Sequence, residues 1–248
     1  NKKITDYNIV CIQTDSGIIN KLIEEIDLKL LIERYNIKND VKVTNDEYKI
    51  NEKDLFVAAF CALKMIAEGK STHMLIYTNK CYSSDIVEMI IKQLLDKKIF
   101  TINGLYNKSL TSKTFKYNDN TDFTKEVENF KNSKYGIISC VYIFGEGFDI
   151  HILDSVVIAE KMSTEIRIVQ SCLRPNRLDS NNPNKVGQII IPLNSSQIDE
   201  RVKMIINNMS SDDDMIEQKI KFIKIIKDKK KKIDKNDYYY KNKLKFKS

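Results

Sequence analysis

Gln170, Arg174 and Arg177 stand at i, i+4 and i+7, so on a helix they share one face, with Arg167 beside them. Two guanidinium groups about one turn apart make a rigid, permanently charged fork suited to phosphate oxygens. Spacing alone also fits a solvated basic face. A second polar group lies upstream, where the apolar run Ile137–Phe144 ends in Gly145-Glu146-Gly147-Phe148-Asp149. A dinucleotide fingerprint would need a third glycine at position 150, which is Ile150, so that chemistry is excluded.

The elements that must position these residues can be read from the apolar pattern. Ile137–Phe144 and Ser155–Ala159 are near-continuous apolar runs, as expected of buried parallel strands. The segment after them places Ile166, Val169 and Leu173 opposite the arginines, enough to dock a helix on a sheet. Pro175 disfavours helix at the residue before it, which predicts an end near Arg174 and puts Arg177 on a loop. Ligand loops of open α/β sheets lie at the carboxyl ends of strands, where the Gly-Glu-Gly turn falls.

The rest of the chain supplies the same alternation. Strands are expected at Asn8–Gln13, Met74–Thr78, Ile99–Tyr106 and Gly187–Pro192. Helices are expected at Ile18–Tyr35, Asp54–Glu68, Asp85–Lys97 with Ser84 as cap, Asp122–Phe130, Ser195–Met209 and Met215 to about Lys232. Asp212, Asp213 and Asp214 read as acidic residues opening the last of these. Residues 107–121 read as a polar loop. Gly69-Lys70-Ser71-Thr72 looks like the end of a phosphate-binding loop, but position 64 is Lys64 and the order is helix before strand. We read it as a helix stop and turn.

Charge and composition narrow the class. The net charge is +7, yet residues 219–248 hold thirteen Lys and three Asp, a net +10, which leaves −3 for the body. The basicity belongs to a lysine- and tyrosine-rich tail. Polyelectrolyte attraction to nucleic acid, with Tyr238, Tyr239 and Tyr240 stacking on bases, is one reading of it; a solvated end is the other. Cys11, Cys61, Cys81, Cys140 and Cys172 form no Cys-x-x-Cys pair and are expected as free thiols of an intracellular, reducing compartment. His73 and His151 lie too far apart for a metal cluster. No membrane span or secretory signal is expected. The abrupt start without Met suggests a piece of a longer polypeptide.

The combination of a Gly-Glu-Gly-Phe-Asp loop at a strand end, a second strand, then Gln-x-x-x-Arg-x-x-Arg resembles the second motor domain of superfamily 2 helicases and translocases. It is most similar to the branch that holds restriction-enzyme and viral DNA helicases. Gly145–Asp149 resemble motif V. Gln170–Arg177 resemble motif VI, with Leu173 where the family has glycine. Thr78–Ser84, leading into a helix, resemble motif IV. This implies an α/β fold of RecA-like type: a mainly parallel sheet flanked by helices, with a C-terminal helical extension. The parts would be residues 1–53 (strand, helix and connector), 54–194 (RecA-like domain), 195–232 (C-terminal helices) and 233–248 (basic tail).

The resemblance also implies roles. Arg174 and Arg177 would reach the γ-phosphate of ATP bound against a first motor domain, which would hold the Mg2+. Gly145, Gly147, Asp149 and Gln170 would meet the nucleotide. Thr78, Asn79 and Ser83 would contact a nucleic-acid backbone, DNA in preference to RNA. Many relatives carry a motif V hydroxyl; Val141 stands there, and Ser139 is the substitute. Ser109, Thr111, Ser112 and Lys113 are further backbone contacts. No P-loop and no acidic Walker B element occurs, so the first motor domain would be a separate partner on the same polypeptide. The competing reading is a non-catalytic RecA-like module that binds nucleic acid or protein, favoured by Leu173 and Val141.

Overall fold

The computed structural model describes residues 5–42, 50–111, 120–141, 150–160, 165–193, 200–210, 213, 215–225 and 238–241. Among them seven strands run parallel in one sheet: β1 (Tyr7–Thr14), β2 (His73–Tyr77), β3 (Leu105–Leu110), β4 (Tyr135–Cys140), β5 (Ser155–Ile158), β6 (Gly187–Leu193) and β7 (Ile220–Ile225). A short β8 (Tyr238–Lys241) pairs antiparallel with β7. The order across the sheet is β3-β4-β2-β5-β6-β1-β7-β8.

Helices cover both faces. α1 (Ser16–Glu25), α2 (Leu28–Lys38), α3 (Glu52–Ala67) and α4 (Cys81–Asp96) pack on one; α5 (Asn120–Asn132), α6 (Glu165–Leu173) and α7 (Glu200–Met209) pack on the other. The strands feed both cores by strict alternation. Met74 and Ile76 enter the first core, while Leu75 and Tyr77 enter the second. Val10 and Ile12 oppose Ile9 and Cys11 in the same way. Burying each such aliphatic side chain is worth about 1.5–3 kcal/mol.

Several expected elements are corrected. The single helix Ile18–Tyr35 is two: Asp27 turns left-handed at φ 51° and caps α2 through its carboxylate, so the helical period runs on across a break. The strand expected at Ile99–Tyr106 is shifted to Leu105–Leu110, taking in the start of the expected polar loop. It is the edge strand beside β4, and an edge tolerates the polar sequence LYNKSL. Ser109 and Thr111 are therefore buried, and Ser109 donates to Asp85 at 2.6 Å. Ser112 and Lys113 lie outside the described residues. The helix expected from Met215 is a 3-10 turn (Ile216–Lys219) followed by β7. Its Ile-rich run pairs with the otherwise open edge of β1, and that pairing outweighs helix propensity.

β1 lies inside the sheet between β6 and β7, so residues 1–53 and the segment after 194 both contribute to the one sheet that 54–194 builds. All five cysteines are free thiols. Among the described residues no helix is long and apolar enough to cross a membrane.

The Gly69–Thr72 turn is structural. Gly69, at φ 65°, ends α3. The Asp154 carboxylate then accepts from Ser71 Oγ, Thr72 N and Thr72 Oγ1, each at 2.7 Å, and from Ser155 Oγ at 3.0 Å. A carboxylate at the centre of these donors locks the starts of β2 and β5 together and leaves no place for a phosphate.

A second polar tie closes the sheet at β1. Tyr7 donates to Asp213 at 2.6 Å, and Lys219 donates to Asp213 at 2.7 Å while reaching Asp6 at 3.3 Å. Burial raises the Asp213 carboxyl, but the hydrogen bonds from Lys219, Tyr7 and the Met215 amide outweigh it and hold the group below its ordinary range. A depressed carboxyl stabilises the fold above its unfolded pKa and loses that contribution as pH falls through the folded value. Asp213→Asn should thus cost about 1–2 kcal/mol at neutral pH, or roughly 2–8 °C in Tm. Thermal unfolding across pH checks this: the gap between wild type and variant should close below the ordinary carboxylate range, and a gap that persists there would refute the assignment.

Candidate functional site

The arginine segment begins where α6 ends. Leu173 is the last α-helical residue, and Arg174–Asn176 tighten into a 3-10 turn with Pro175 at its centre. Arg177 is extended, at φ −66° and ψ 141°. Pro175 has no amide with which to continue the ladder. The helix end expected near Arg174 is thus present, and the shared helical face of Gln170, Arg174 and Arg177 is replaced by a turn. Gln170 is exposed; Arg174 and Arg177 are half-buried.

The backbone under the arginines is fixed by packing. Val169 and Leu173 lie against the second core, and Cys172 is fully buried, its thiol pushed up to about 12 by desolvation. Leu173, half-buried, packs against this core at the position where the resembling motif has glycine. Asn176 is fully buried, and its carbonyl accepts from Thr5 N at 2.7 Å. Its side-chain amide rests on Gly187, where any Cβ would collide with the amide oxygen.

This segment meets the downstream end of the β4–β5 connection, and the Arg174 charge is felt at the upstream end. At the upstream end, burial drives the Cys140 thiol well above its ordinary value, and the charge of Arg174 works against that rise. The same charge is felt at Tyr77, the last residue of β2. At the downstream end, His151 Nδ1 donates to Leu178 O at 3.0 Å. Lys185, itself buried, donates to His151 O at 2.6 Å and Leu153 O at 3.1 Å. Gly145, Gly147 and Asp149 belong to residues 142–149 of this connection, which lie outside the described residues.

The expected nucleic-acid contacts lie at the carboxyl end of β2 and in α4. The helix starts earlier than expected, at Cys81, so Ser84 is within its first turn and not its cap. Lys80, the capping residue, makes no side-chain cap hydrogen bond. Glu160, just past β5, approaches this helix start instead. It accepts from Asn79 N at 2.7 Å and from Ser83 Oγ at 3.3 Å. A carboxylate suits the positive end of a helix dipole. Thr78 is buried and donates to Lys80 O at 3.2 Å. Ser139 is fully buried and donates to Ser84 O at 2.9 Å, tying β4 to α4. Solvent does not reach it, nor Ser83, which is as fully buried. Of the four residues only Asn79 is exposed.

Sequence reasoning missed Glu160, Lys185, Asn176 and His151 as parts of this arrangement. Glu160 had one weak signal, an acid directly after an apolar strand. The others are single polar residues whose partners come from distant segments. Among the described residues no group of three or more His, Cys, Asp or Glu could hold a metal ion.

No protein-family model and no curated protein matches the chain. Solved structures do. A region of an ATP-dependent Type ISP restriction-modification enzyme, LlaBIII bound to DNA, matches with a TM-score of 0.59 at 16% identity, over 90% of this chain and 16% of that one. T4 UvsW matches at a TM-score of 0.47 and 11% identity, over 89% of this chain and 41% of that one. Domain 2 of the DEAD-box helicase Mss116p, bound to an RNA duplex, matches at 0.44 and 10%, over 75% of this chain and 54% of that one. The chain thus spans about a sixth of the length of the first of these. The parallel sheet covered on both faces and the likeness to the LlaBIII region together show that this chain has a RecA-like α/β fold.

Proposed function

We propose that this chain is the second motor domain of an ATP-dependent nucleic-acid helicase or translocase. Arg174 and Arg177 bear on the γ-phosphate of ATP held, with its Mg2+, by a first motor domain of the same polypeptide. One observation carries this reading. Leu178, directly after the arginine pair, accepts from His151 at the downstream end of the β4–β5 connection. Gly145, Gly147 and Asp149 occupy that connection and, with Gln170, are proposed to meet the nucleotide. Two half-buried guanidinium groups on a backbone pinned by Asn176 fit an anionic triphosphate, whose charge they would stabilise during phosphoryl transfer.

Nucleic acid is proposed to run past the carboxyl end of β2 and the start of α4, with its backbone met by Asn79 and by groups of the Thr78–Ser83 segment. DNA is the preferred polymer, in line with the DNA-bound LlaBIII enzyme. Glu160 holds the Asn79 amide, so a phosphate that reaches this donor displaces its carboxylate. A non-catalytic binding module remains the second reading, favoured by Val141 and by Leu173 packed against the core at the motif's glycine position.

In the polypeptide that joins this chain to a P-loop domain, Arg174→Ala should lower ATP turnover by about 10³-fold or more, with nucleic-acid affinity unchanged in anisotropy titrations. Turnover that survives the substitution leaves the binding-module reading standing. On the nucleic-acid side, Asn79→Ala should weaken binding about fivefold, the loss of one hydrogen bond. Ser139→Ala should leave binding unchanged and cost about 1 kcal/mol of stability. Glu160→Gln, which removes charge and keeps an acceptor, should tighten binding about fivefold, equivalent to ~1 kcal/mol. Loss of binding in Ser139→Ala with none in Asn79→Ala would move the path elsewhere.

A further inference from the structure

Lys185 sits in a polar loop with no sequence motif around it, yet it is only 5% exposed. Removing an ammonium from water is costly unless its donors are met. Here they reach the carbonyls of His151 and Leu153, both in the turn that leaves the β4–β5 connection. These two hydrogen bonds tie the loop to that turn, which an apolar residue of the same volume would not do.

The loop carrying Lys185 is closed on the same turn at its other end. Leu178, the residue after Arg177, accepts from His151 Nδ1. His151 is therefore a hub: its ring holds the start of the 178–185 loop and its carbonyl holds the end. Between these points the loop is braced by its own turns. Asp179 Oδ1 accepts from Asn181 N at 2.9 Å, Asp179 O from Asn182 N at 3.1 Å, and Asn182 O from Lys185 N at 3.1 Å. Ile150 and Leu153 anchor the turn itself in the second core.

We propose that Lys185 is a positioning residue: by gripping His151 and Leu153 it closes the 178–185 loop onto the exit of the β4–β5 connection and fixes where Arg174 and Arg177 sit. The role of those arginines rests on the motor-domain reading above; the clasp itself does not. Lys185 acts only through the backbone that it restrains.

Two measurements test this separately. In the chain itself, trypsin cuts at Arg177–Leu178 but not at Arg174–Pro175, so the rate of cleavage after Arg177 reports on the clasp. Lys185→Met keeps the volume and removes the donors; it should speed that cleavage at least fivefold, with the circular-dichroism spectrum retained. Lys185→Arg should restore most of the protection. In the polypeptide carrying a P-loop domain, Lys185→Met should lower kcat at least tenfold with KM for ATP within twofold, and Lys185→Arg should recover kcat. Unchanged cleavage overturns the clasp whatever the motor does. Faster cleavage with unchanged kcat, where Arg174→Ala abolishes turnover, overturns the positioning role. A fall in kcat that tracks a loss of global fold, not rescued by Lys185→Arg, overturns it as well. Turnover indifferent to Arg174→Ala sinks the motor reading and the catalytic role of Lys185 with it, while the cleavage rate still decides whether the clasp exists.

Discussion

Burial of the parallel sheet on both faces is the constraint from which the rest follows. A strand such as β2, with Met74 and Ile76 in one core and Leu75 and Tyr77 in the other, has no side chain left to offer solvent along its length. Chemistry is thereby forced to the strand ends and to the connections between them. The residues that matter here obey this. Asn79 follows β2, Glu160 follows β5, and residues 142–149 follow β4. α6 runs back along the sheet and stops abruptly at Pro175, so the arginine segment comes to the amino ends of β1 and β6, where Asn176 accepts from Thr5 and rests on Gly187.

That same constraint explains what could be read from the letters. β1, β2, β4, β5 and β6 are apolar enough on both faces to stand out as runs, so the RecA-like alternation was visible. The places that were misread lack this signature. β3 is an edge strand and carries Asn107, Lys108 and Ser109, so it looks like the loop beside it. β7 lies near the other edge, and its lysine-interrupted run resembles the start of an amphipathic helix. The break between α1 and α2 is set by the backbone of one residue, Asp27, whose αL conformation no apolar period records.

The candidate site divides along the same line. The arginine pair and the end of its helix were legible because their signals are local: a spacing and a proline. The hydroxyls of Thr78, Ser83 and Ser139 were legible as residues but not as surfaces, since burial depends on packing from α4 and β4. Glu160, Lys185 and His151 gain their meaning from partners 27–81 residues away in sequence. No window of sequence short enough to show a pattern contains both members of such a pair.

The two polar devices around the site act in opposite senses. Glu160 places a negative charge on donors of the α4 start, in the position where a backbone phosphate would gain from the same dipole. It holds the segment in a defined shape, and at the proposed interface a backbone phosphate would have to displace it. The arginine side is prepared through its backbone. Its backbone is made stiff by the buried Asn176 against Gly187 and by the Thr5 bond, while the guanidinium groups stay half-buried at the rim. Ordering a flexible arginine on a flexible loop would cost entropy at the moment of phosphoryl transfer. Fixing the backbone in advance would confine that cost to the side-chain rotamers, as the proposed finger role requires.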